Sequence, residues 1–300
     1  MPGPPGTGSR GATMDFVSLA LDDLVRILDL ERIEVDVYRG QNPPEERERT
    51  FGGQVAAQAL MAAGRTVDRG RVHSLHSYFL RPGDPTTPIL YEIDRIRDGR
   101  SFTTRRVVAV QHGKAIYNME ASFHTDEVSL AHQMAMPEVP SPESIPRLAE
   151  RIASGRGDLD EWLMRHHPID QRFIGPIPGD PERTTDPRQR LWIRADGDLP
   201  EDPLLHACVI AYASDMNLFD AIVKPHRIDW SDGTFMGASL DHCMWFHHQA
   251  RADDWLLFDT ESPIAYGGRG LARGFLFTRE GELQVSMVQE GLTRVIAPRD

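Results

Sequence analysis

An aspartate interrupts an apolar helical stretch in the second half of this sequence. Asp215 lies within the run from Leu204 to Phe219, whose other residues are mostly apolar or small. Burying a carboxylate without partners is costly, so its presence there needs an explanation. It could accept a proton in a reaction, or it could cap a broken helix or pair with an arginine. A similar small-residue helix earlier in the chain contains no acid, which argues against a purely architectural role.

Two more polar residues could take part in chemistry with this aspartate. Ser239 precedes Leu240-Asp241-His242 at the start of a predicted strand, where a serine is usually a hydrogen-bonded hydroxyl without a chemical role. The neighbouring aspartate and histidine are weak support for a hydrolytic triad, because triad members are rarely adjacent in sequence and no G-x-S-x-G motif is present. Gln289 lies near the end of the last predicted strand, where an amide usually faces solvent. The residues alone leave catalytic and structural roles open.

Metal and nucleotide sites are not predicted. The chain has 12 histidines, and His166-His167 and His247-His248 are adjacent pairs whose side chains should diverge. No H-E-x-x-H spacing accompanies them, and no P-loop is present. The glycine-rich Gly267 to Gly270 is predicted to be a turn. We therefore expect no metal and no cofactor.

Composition narrows the class of protein and the compartment. The 300 residues suffice for one large or two ordinary domains, and the net charge of −12 argues against nucleic-acid partners and anionic membranes. No apolar run approaches the roughly 20 residues that span a membrane, so no membrane insertion is expected. Cys208 and Cys243 lie in apolar segments and are predicted to be free thiols of a reducing compartment. Residues 1–13 lack an apolar core and are predicted to be a disordered tail, Met14 being an alternative start. These features predict a cytoplasmic protein.

Hydrophobic periodicity predicts helices and antiparallel strands in a repeated order. The predicted helices are Phe16 to Leu30, Phe51 to Gly64, a segment near Ile145 to Arg165, and Pro203 to Val223. The predicted strands are Val72 to Leu80, Ile89 to Arg97, Ser101 to His112, Lys114 to His124, Gln189 to Ala195, Gly237 to His247, Trp255 to Ser262, Arg269 to Thr278 and Leu283 to Gly291. A buried helix followed by antiparallel strands predicts an α+β fold with the sheet wrapped on the helix. His112-Gly113 is predicted to form a hairpin turn.

The spacing of related segments indicates an internal duplication. His76 and His242 begin similar strand segments 166 positions apart, and the hairpin glycines Gly113 and Gly281 are 168 positions apart. Two copies of one helix-plus-sheet unit explain this spacing better than one irregular domain.

Several stretches of the chain closely resemble the bacterial acyl-CoA thioesterase II family, which is related to peroxisomal acyl-CoA thioesterases. The resemblance begins at about Met14 and covers nearly all of the remaining chain. Its strongest stretches are Arg49 to Gln54, His73 to Asp84, Tyr212 to Asp215, Asp241 to His247 and Val288 to Gly291. It implies a tandem double hot-dog fold. The expected division is a tail at 1–13, an N-terminal hot-dog domain at 14–125, a connection at 126–170 and a C-terminal hot-dog domain at 171–300.

The resemblance also implies a catalytic set and a substrate. Asp215, Ser239 and Gln289 match the family's catalytic positions, and some relatives have threonine in place of the serine. The implied reaction is hydrolysis of an acyl-CoA thioester by a water that these side chains hold and activate, without a covalent intermediate. Backbone N–H groups of Gly53 or Gln54, at a helix N-terminus, are candidate donors to the oxyanion.

Two other functions are weighed against this one. An enoyl-CoA hydratase also uses the hot-dog fold, but its Asp/His motif is not matched in this sequence. A non-catalytic acyl-CoA-binding protein is the second alternative, and the intact set of three polar residues argues against it. Hot-dog sheets commonly pair through their edges, so a homo-oligomer, a dimer or a tetramer, is expected. The preferred acyl chain length does not follow from the sequence.

Overall fold

The computed structural model describes residues 21–43, 48–155, 168–177, 185–226, 228 and 234–296, and all the strands in these ranges join one antiparallel sheet. Its strands are β1 Glu31–Glu34, β2 Val37–Gly40, β3 Arg71–Phe79, β4 Ile89–Asp98, β5 Phe102–Gln111, β6 Lys114–His124, β7 Ile169–Ile174, β8 Arg188–Ala195, β9 Phe235–Ser239, β10 Asp241–Phe246, β11 Leu256–Tyr266, β12 Arg269–Thr278 and β13 Leu283–Val295. The helices are α1 at 21–28, α2 Gly52–Gly64, α3 Leu148–Gly155, α4 Pro203–Asn217 and α5 Asp220–Val223. Pro142–Ser144 and Lys224–His226 are short 3-10 helices.

The strand order repeats in the two halves of the chain. Along the sheet the strands follow the order β1-β2-β4-β5-β6-β3-β10-β13-β12-β11-β8-β7, with β9 on β13. In chain order, one half runs β2-α2-β3-β4-β5-β6 and the other β8-α4-β10-β11-β12-β13, with β9 as an addition. Corresponding strands have corresponding neighbours in the sheet. The predicted α+β fold with an internal duplication is confirmed.

The two halves join through the central strands β3 and β10. These strands are antiparallel, and His76 faces Cys243 across the junction. The ladder continues beyond β10, since the N–H of Phe79 donates to the carbonyl of Leu240 at 2.9 Å. The sheet is therefore continuous, and residues from both halves can contribute to one site.

The helices α2 and α4 pack against each other in opposite directions. At one end, a Cβ added to Gly64 would lie 2.4 Å from Leu204 Cδ1; at the other, one on Gly53 would lie 2.5 Å from the carbonyl oxygen of Tyr212. Both distances are shorter than a side-chain carbon tolerates, so glycine permits this approach. The small residues of α2 between these ends, such as Ala56 and Ala59, are fully buried. The close packing brings the start of α2 beside the end of α4.

Most of the predicted core elements are confirmed. The helix predicted from Phe51 to Gly64 is α2, and each strand predicted from Val72 to His124 is present with ends shifted by one residue at most. The predicted hairpin turn is also present, since Gln111 pairs with Lys114 while His112 and Gly113 have φ angles of 50° and 69°. Positive φ at both turn residues suits the twist of a two-residue hairpin.

Four predicted elements need correction. The helix predicted from Pro203 to Val223 is broken at Leu218 and Phe219, where a bond from Ile222 N–H to Phe219 O tightens the backbone. The strand predicted from Gly237 to His247 is interrupted at Leu240. The helix predicted near 145–165 is confined to α3 in the described residues, and 156–167 lie outside them. The helix predicted at 16–30 is present at 21–28, while residues 1–20 lie outside the described part.

Three short strands were not predicted. β1 and β2 are four residues each, and all of β1 is exposed, so it shows no apolar alternation. β7 begins at Ile169, inside the predicted connection of 126–170, and its pairing partner β8 lies after residues that the structure does not describe. The predicted domain boundaries stay predictions.

The described residues also bear on the thiols, metals and membranes. Cys208 and Cys243 are both free, and burial raises the pKa of each thiol above its ordinary value. No group of three or more metal-ligating side chains occurs within the described ranges. None of the helices that the structure describes has the length and apolar character needed to cross a membrane.

Candidate active site

The three polar residues singled out in the sequence converge on one carboxylate oxygen. Asp215 lies in the last turn of α4, and its Oδ1 accepts hydrogen bonds from Ser239 Oγ at 3.1 Å and from Gln289 Nε2 at 2.5 Å. Ser239 ends β9, and Gln289 lies on β13. Three separate elements of the C-terminal half therefore position this cluster.

A change of register in the sheet puts Ser239 and Gln289 on the same face. β10 pairs with β13 so that Cys243 faces Val288, whereas β9 pairs with it so that Ser239 faces Gly291. Three residues, 240–242, thus lie opposite two, which is a β-bulge. Side chains alternate between the faces of a strand, so without the extra residue Ser239 and Gln289 would point to opposite faces.

The N-terminal half closes the site with the start of α2. The backbone N–H of Gly53 is close enough to the Asp215 carboxylate to lower its pKa. A Cβ added to Gly52 would lie 2.7 Å from Asp215 Oδ2 and 2.8 Å from Phe79 Cε1. A glycine is therefore required for the helix N-terminus to approach the carboxylate this closely, and the helix dipole favours a negative charge there.

The backbone of Gly53 and Gln54 was predicted to bind the substrate oxygen. In this structure the Gly53 N–H is directed at Asp215, and the Gln54 side chain donates to Asn42 Oδ1 at 2.7 Å. The Gln54 N–H belongs to the first turn of α2, whose donors have no acceptor within the helix. The predicted role of these two residues stays a prediction.

Burial gives the Asp215 carboxyl an unusual pKa. Loss of contact with water raises this pKa from its ordinary value near 3.8 to about 6, against the opposing effects of Gln289, Ser239, the Gly53 N–H and the positive charge of Arg49. The group is consequently ionised at neutral pH, yet it accepts a proton more readily than an exposed aspartate. A pKa near the working pH suits a general base.

Ser239 and His242 do not form a hydrolytic pair. The Ser239 hydroxyl bonds to Asp215, whereas His242 Nε2 lies 2.8 Å from Ser214 Oγ. Since the Ser214 hydroxyl also donates to the carbonyl of Ala211 at 2.9 Å, it accepts from the histidine. Burial lowers the pKa of His242 to about 4, so the ring is neutral at neutral pH. His242 thus anchors the turn of α4 that carries Asp215.

Aromatic side chains surround the cluster. Phe79 lies against Gly52, and its ring contacts Tyr117 at a centroid distance of 5.1 Å. On the other side, a Cβ on Gly291 would lie 2.2 Å from the ring of Phe219, so that ring fills the space above Gly291. Such walls are suited to excluding water and to contacting an apolar ligand.

A narrow cleft opens at the start of α2. Its volume is about 20 Å³, and it is lined by Asn42, Pro43, Thr50, Phe51, Gln54, Pro85 and Tyr212. A larger hollow of about 390 Å³ lies elsewhere, between the connection and β7, and it contains none of the clustered residues. The small cleft also contains none of the clustered residues, but Phe51 and Gln54 in its lining flank the two glycines at the start of α2.

Sequence reasoning missed two charged residues near the site. Arg49 Nη2 donates to the carbonyl of Gly237 at 2.9 Å, and its charge lowers the pKa of Asp215. Asp220, which follows the break after α4, has a pKa raised to about 7 by burial and accepts a bond from Asn217 Nδ2 at 3.3 Å. The first lies in a stretch that carries the family resemblance, and the second is another acid in an apolar run. Both signals were present in the sequence.

Comparison with known proteins shows which family the chain resembles along nearly its whole length. Family models for the acyl-CoA thioesterase N-terminal domain and for acyl-CoA thioesterase match residues 43–124 and 170–292. The chain is 42% identical over 287 residues to acyl-coenzyme A thioesterase 8 of Rattus norvegicus, covering 89% of this chain and 88% of the relative.

Solved structures show the same architecture. An acyl-CoA thioesterase II from Mycobacterium marinum superposes with a TM-score of 0.76 at 43% identity, over 92% of this chain and all of that one. A protein of unknown function with a hot-dog fold from Alicyclobacillus acidocaldarius superposes with a TM-score of 0.75 at 22% identity, over 92% and 98% of the two chains. The fold is a tandem hot-dog. The chain belongs to the acyl-CoA thioesterase family.

Proposed function

We propose that this protein hydrolyses acyl-CoA thioesters to a free fatty acid and coenzyme A, with Asp215 as the base that activates water. The observation that carries the proposal is the buried carboxylate, whose pKa is about 6 and whose Oδ1 is held by Ser239 and Gln289. The names of the similar proteins from rat and Mycobacterium marinum support the thioester substrate.

The hydrogen-bonding groups around the carboxylate suit a bound water. Gln289 Oε1 is buried and has no hydrogen-bond partner among the described residues, so it can accept a hydrogen from the water. A water that donates to Gln289 Oε1 and to Asp215 keeps a lone pair for attack on the thioester carbon. Ser239 donates its hydroxyl hydrogen to Asp215 and so holds the carboxylate in place.

The reaction proceeds by direct addition of water. Asp215 accepts a proton as the water oxygen adds to the carbonyl carbon, and the carbonyl oxygen becomes an oxyanion. Because the Gly53 N–H lies near the Asp215 carboxylate, whose pKa it lowers, we assign the Gln54 N–H as the first donor to that oxyanion. The oxyanion then collapses to the acid as the carbon–sulfur bond breaks, and the thiolate of coenzyme A takes the proton that Asp215 had accepted, which restores the carboxylate.

Release of free thiol from acyl-CoAs of short to very long chain tests this function. Wild type should turn over some members of the panel, and Asp215→Asn should lose turnover while still binding the same acyl-CoA in calorimetry. Asp202→Asn is the matched control, because Asp202 accepts a hydrogen bond at the opposite end of α4.

Each outcome of this assay has a clear meaning. Binding without release by wild type on every chain length would favour the non-catalytic acyl-CoA-binding protein. Equal rates in wild type and Asp215→Asn would keep the activity and reject the assigned base.

We also propose that the protein works in the cytoplasm as a dimer or tetramer. Large apolar side chains on the surface support association: Tyr78 is 60% exposed and Tyr266 is 83% exposed. Sedimentation equilibrium at micromolar concentration tests the assembly, and a single species at the mass of one chain would reject it. Imaging of the tagged protein in its source cell tests the compartment.

A further inference from the structure

The bulge between β9 and β10 is held by one side chain, that of Asp241. At this point the strand pairing of β13 passes from β10 to β9, and the backbone of Glu290 lies at the change of partner. The carbonyl of Glu290 accepts from the N–H of Leu240 at 2.9 Å. The N–H of Glu290 donates to Asp241 Oδ1 at 2.7 Å. The Asp241 carboxylate therefore satisfies a backbone donor in place of a strand carbonyl.

We infer that Asp241 is a positioning residue, which fixes the bulge so that the Ser239 hydroxyl meets Asp215. This inference rests on the proposed function. Asp241 does not bond to Asp215; it binds the backbone of Glu290, the residue after Gln289. Asp241 thus holds the backbone between the two residues whose side chains must lie on one face of the sheet, Ser239 on β9 and Gln289 on β13.

The geometry explains why a side chain is needed at this point. A buried or half-buried N–H without an acceptor is costly, so an unfilled bulge tends to shift to a register that satisfies it. A slip of one residue turns each side chain of the slipped strand to the other face of the sheet. Ser239 would then point away from Asp215. An oxygen acceptor at position 241 satisfies the Glu290 N–H and opposes that slip.

The opposite edge of the bulge is already fixed by β3. The carbonyl of Leu240 accepts from the N–H of Phe79, and Asp241 faces Tyr78 in the β3 ladder. Residues 240 and 241 thus cannot adjust freely toward β3. The Leu240 N–H and the Asp241 side chain then set how β13 lies against them, through the carbonyl and the N–H of Glu290.

Kinetics of four variants test the inference: Asp241→Ala, Asp241→Asn, Ser239→Ala, and Asp241→Ala combined with Ser239→Ala. Asp241→Asn keeps an oxygen acceptor for the Glu290 N–H and should retain kcat within about threefold. Asp241→Ala should lower kcat on the order of tenfold or more with little change in KM, because a misplaced catalytic group slows the reaction step. In the Ser239→Ala background the same change should have almost no further effect, since the two residues act through one contact.

The opposite results would overturn the inference. If Asp241→Asn were as slow as Asp241→Ala, the charge of Asp241 would matter rather than its acceptor oxygen. If the two alanine substitutions multiplied their effects, Asp241 would act independently of Ser239.

A readout without substrate separates this inference from the proposed function. Native-state hydrogen exchange at the Glu290 amide should become faster in Asp241→Ala and stay slow in Asp241→Asn. Unchanged exchange in Asp241→Ala would reject the positioning role of Asp241 even if the enzyme were active. The expected exchange in a protein that shows no thioesterase activity would reject only the proposed function.

A control variant tests whether the kinetic effect of Asp241→Ala is local to the site. Asp202→Ala removes a carboxylate acceptor from the N–H of Leu204, a bond of the same type outside the site. It should lower the melting temperature without altering kcat. A loss of kcat in that control comparable to the loss in Asp241→Ala would show that general destabilisation explains both, and would reject a positioning role.

Discussion

Gln289 Nε2 lies 2.5 Å from Asp215 Oδ1, although the two residues are 74 positions apart and belong to a strand and a helix. The amide nitrogen can only donate, so the contact favours the ionised carboxylate. It opposes the effect of burial on the pKa of Asp215. The balance between these two effects decides at which pH the site can work.

Replacing this amide with an acid should abolish most activity. Gln289→Glu places a second carboxyl beside Asp215, and two such groups share a proton or repel each other. The expected result is a fall in kcat on the order of 100-fold. Gln284→Glu is the matched control, because Gln284 is buried on the same strand and donates to the Glu282 carboxylate. Similar activity in Gln289→Glu and wild type would contradict the role of the amide.

The pH dependence of kcat/KM should follow the ionisation of Asp215. Its pKa of about 6 predicts that activity is lost as the pH falls through that value. Ser239→Ala removes a hydrogen bond that favours the charged form, so the acid limb should move to higher pH. Ser239→Thr keeps the hydroxyl and should leave the limb in place. Stopped-flow assays across pH 4.5 to 8 measure the position of this acid limb. If neither substitution moves the limb, the titrating group is not Asp215.

Asp215 should make the fold less stable at neutral pH than an uncharged residue would. Its folded pKa is raised, so its contribution to stability is full below the unfolded pKa near 3.8 and is lost as the pH rises through about 6. Between pH 4 and pH 7 the unfolding free energy of Asp215→Asn should therefore gain about 2 kcal/mol relative to wild type. Urea denaturation at both pH values measures this difference, and other acids cancel because both proteins share them. A constant difference would disprove the raised pKa.

Two adjacent glycines should respond differently to alanine. In Gly53→Ala the new Cβ would meet the backbone oxygen of Tyr212 at 2.5 Å, which strains the contact of α2 with α4. This variant should lose about 1–3 kcal/mol of unfolding free energy. In Gly52→Ala the Cβ would meet Asp215 Oδ2 and the Phe79 ring. It should lose activity on the order of 100-fold, since it displaces the base. Thermal melts and kcat measured together would separate the two, and matching profiles would contradict this division.

The local elements of the fold were predictable, but the contacts between them were not. The small residues of α2 and the apolar alternation of β3 to β6 carry their structure in short windows of sequence. The exposed residues of β1 show no apolar alternation, so their sequence does not predict a strand. β1 is a strand because it pairs with β2. The break after Asn217 also escaped prediction, because the apolar residues Leu218 and Phe219 continue the helical spacing of the sequence. Both residues also keep helical backbone angles, so the break is slight.

The residues of the candidate site could likewise be selected from the sequence, but their contacts could not. Asp215 was noticeable because a carboxylate in an apolar helix is unusual, and the family resemblance added Ser239 and Gln289. Their meeting depends on one extra residue at the bulge of β9 and β10, which a continuous predicted strand from Gly237 to His247 cannot show. The anchor formed by His242 and Ser214 likewise depends on how the sheet packs on α4.

The continuity of the sheet through β3 and β10 has a consequence for how the two copies diverged. Fused copies stay at equal concentration and fixed geometry, so each can lose what the other supplies. The C-terminal copy carries the acid, while the N-terminal helix contributes the glycines that let the two helix ends meet. Neither copy is therefore a smaller version of the whole, and a chain cut between β6 and β7 would separate the glycines of α2 from the Asp215 carboxylate that they approach.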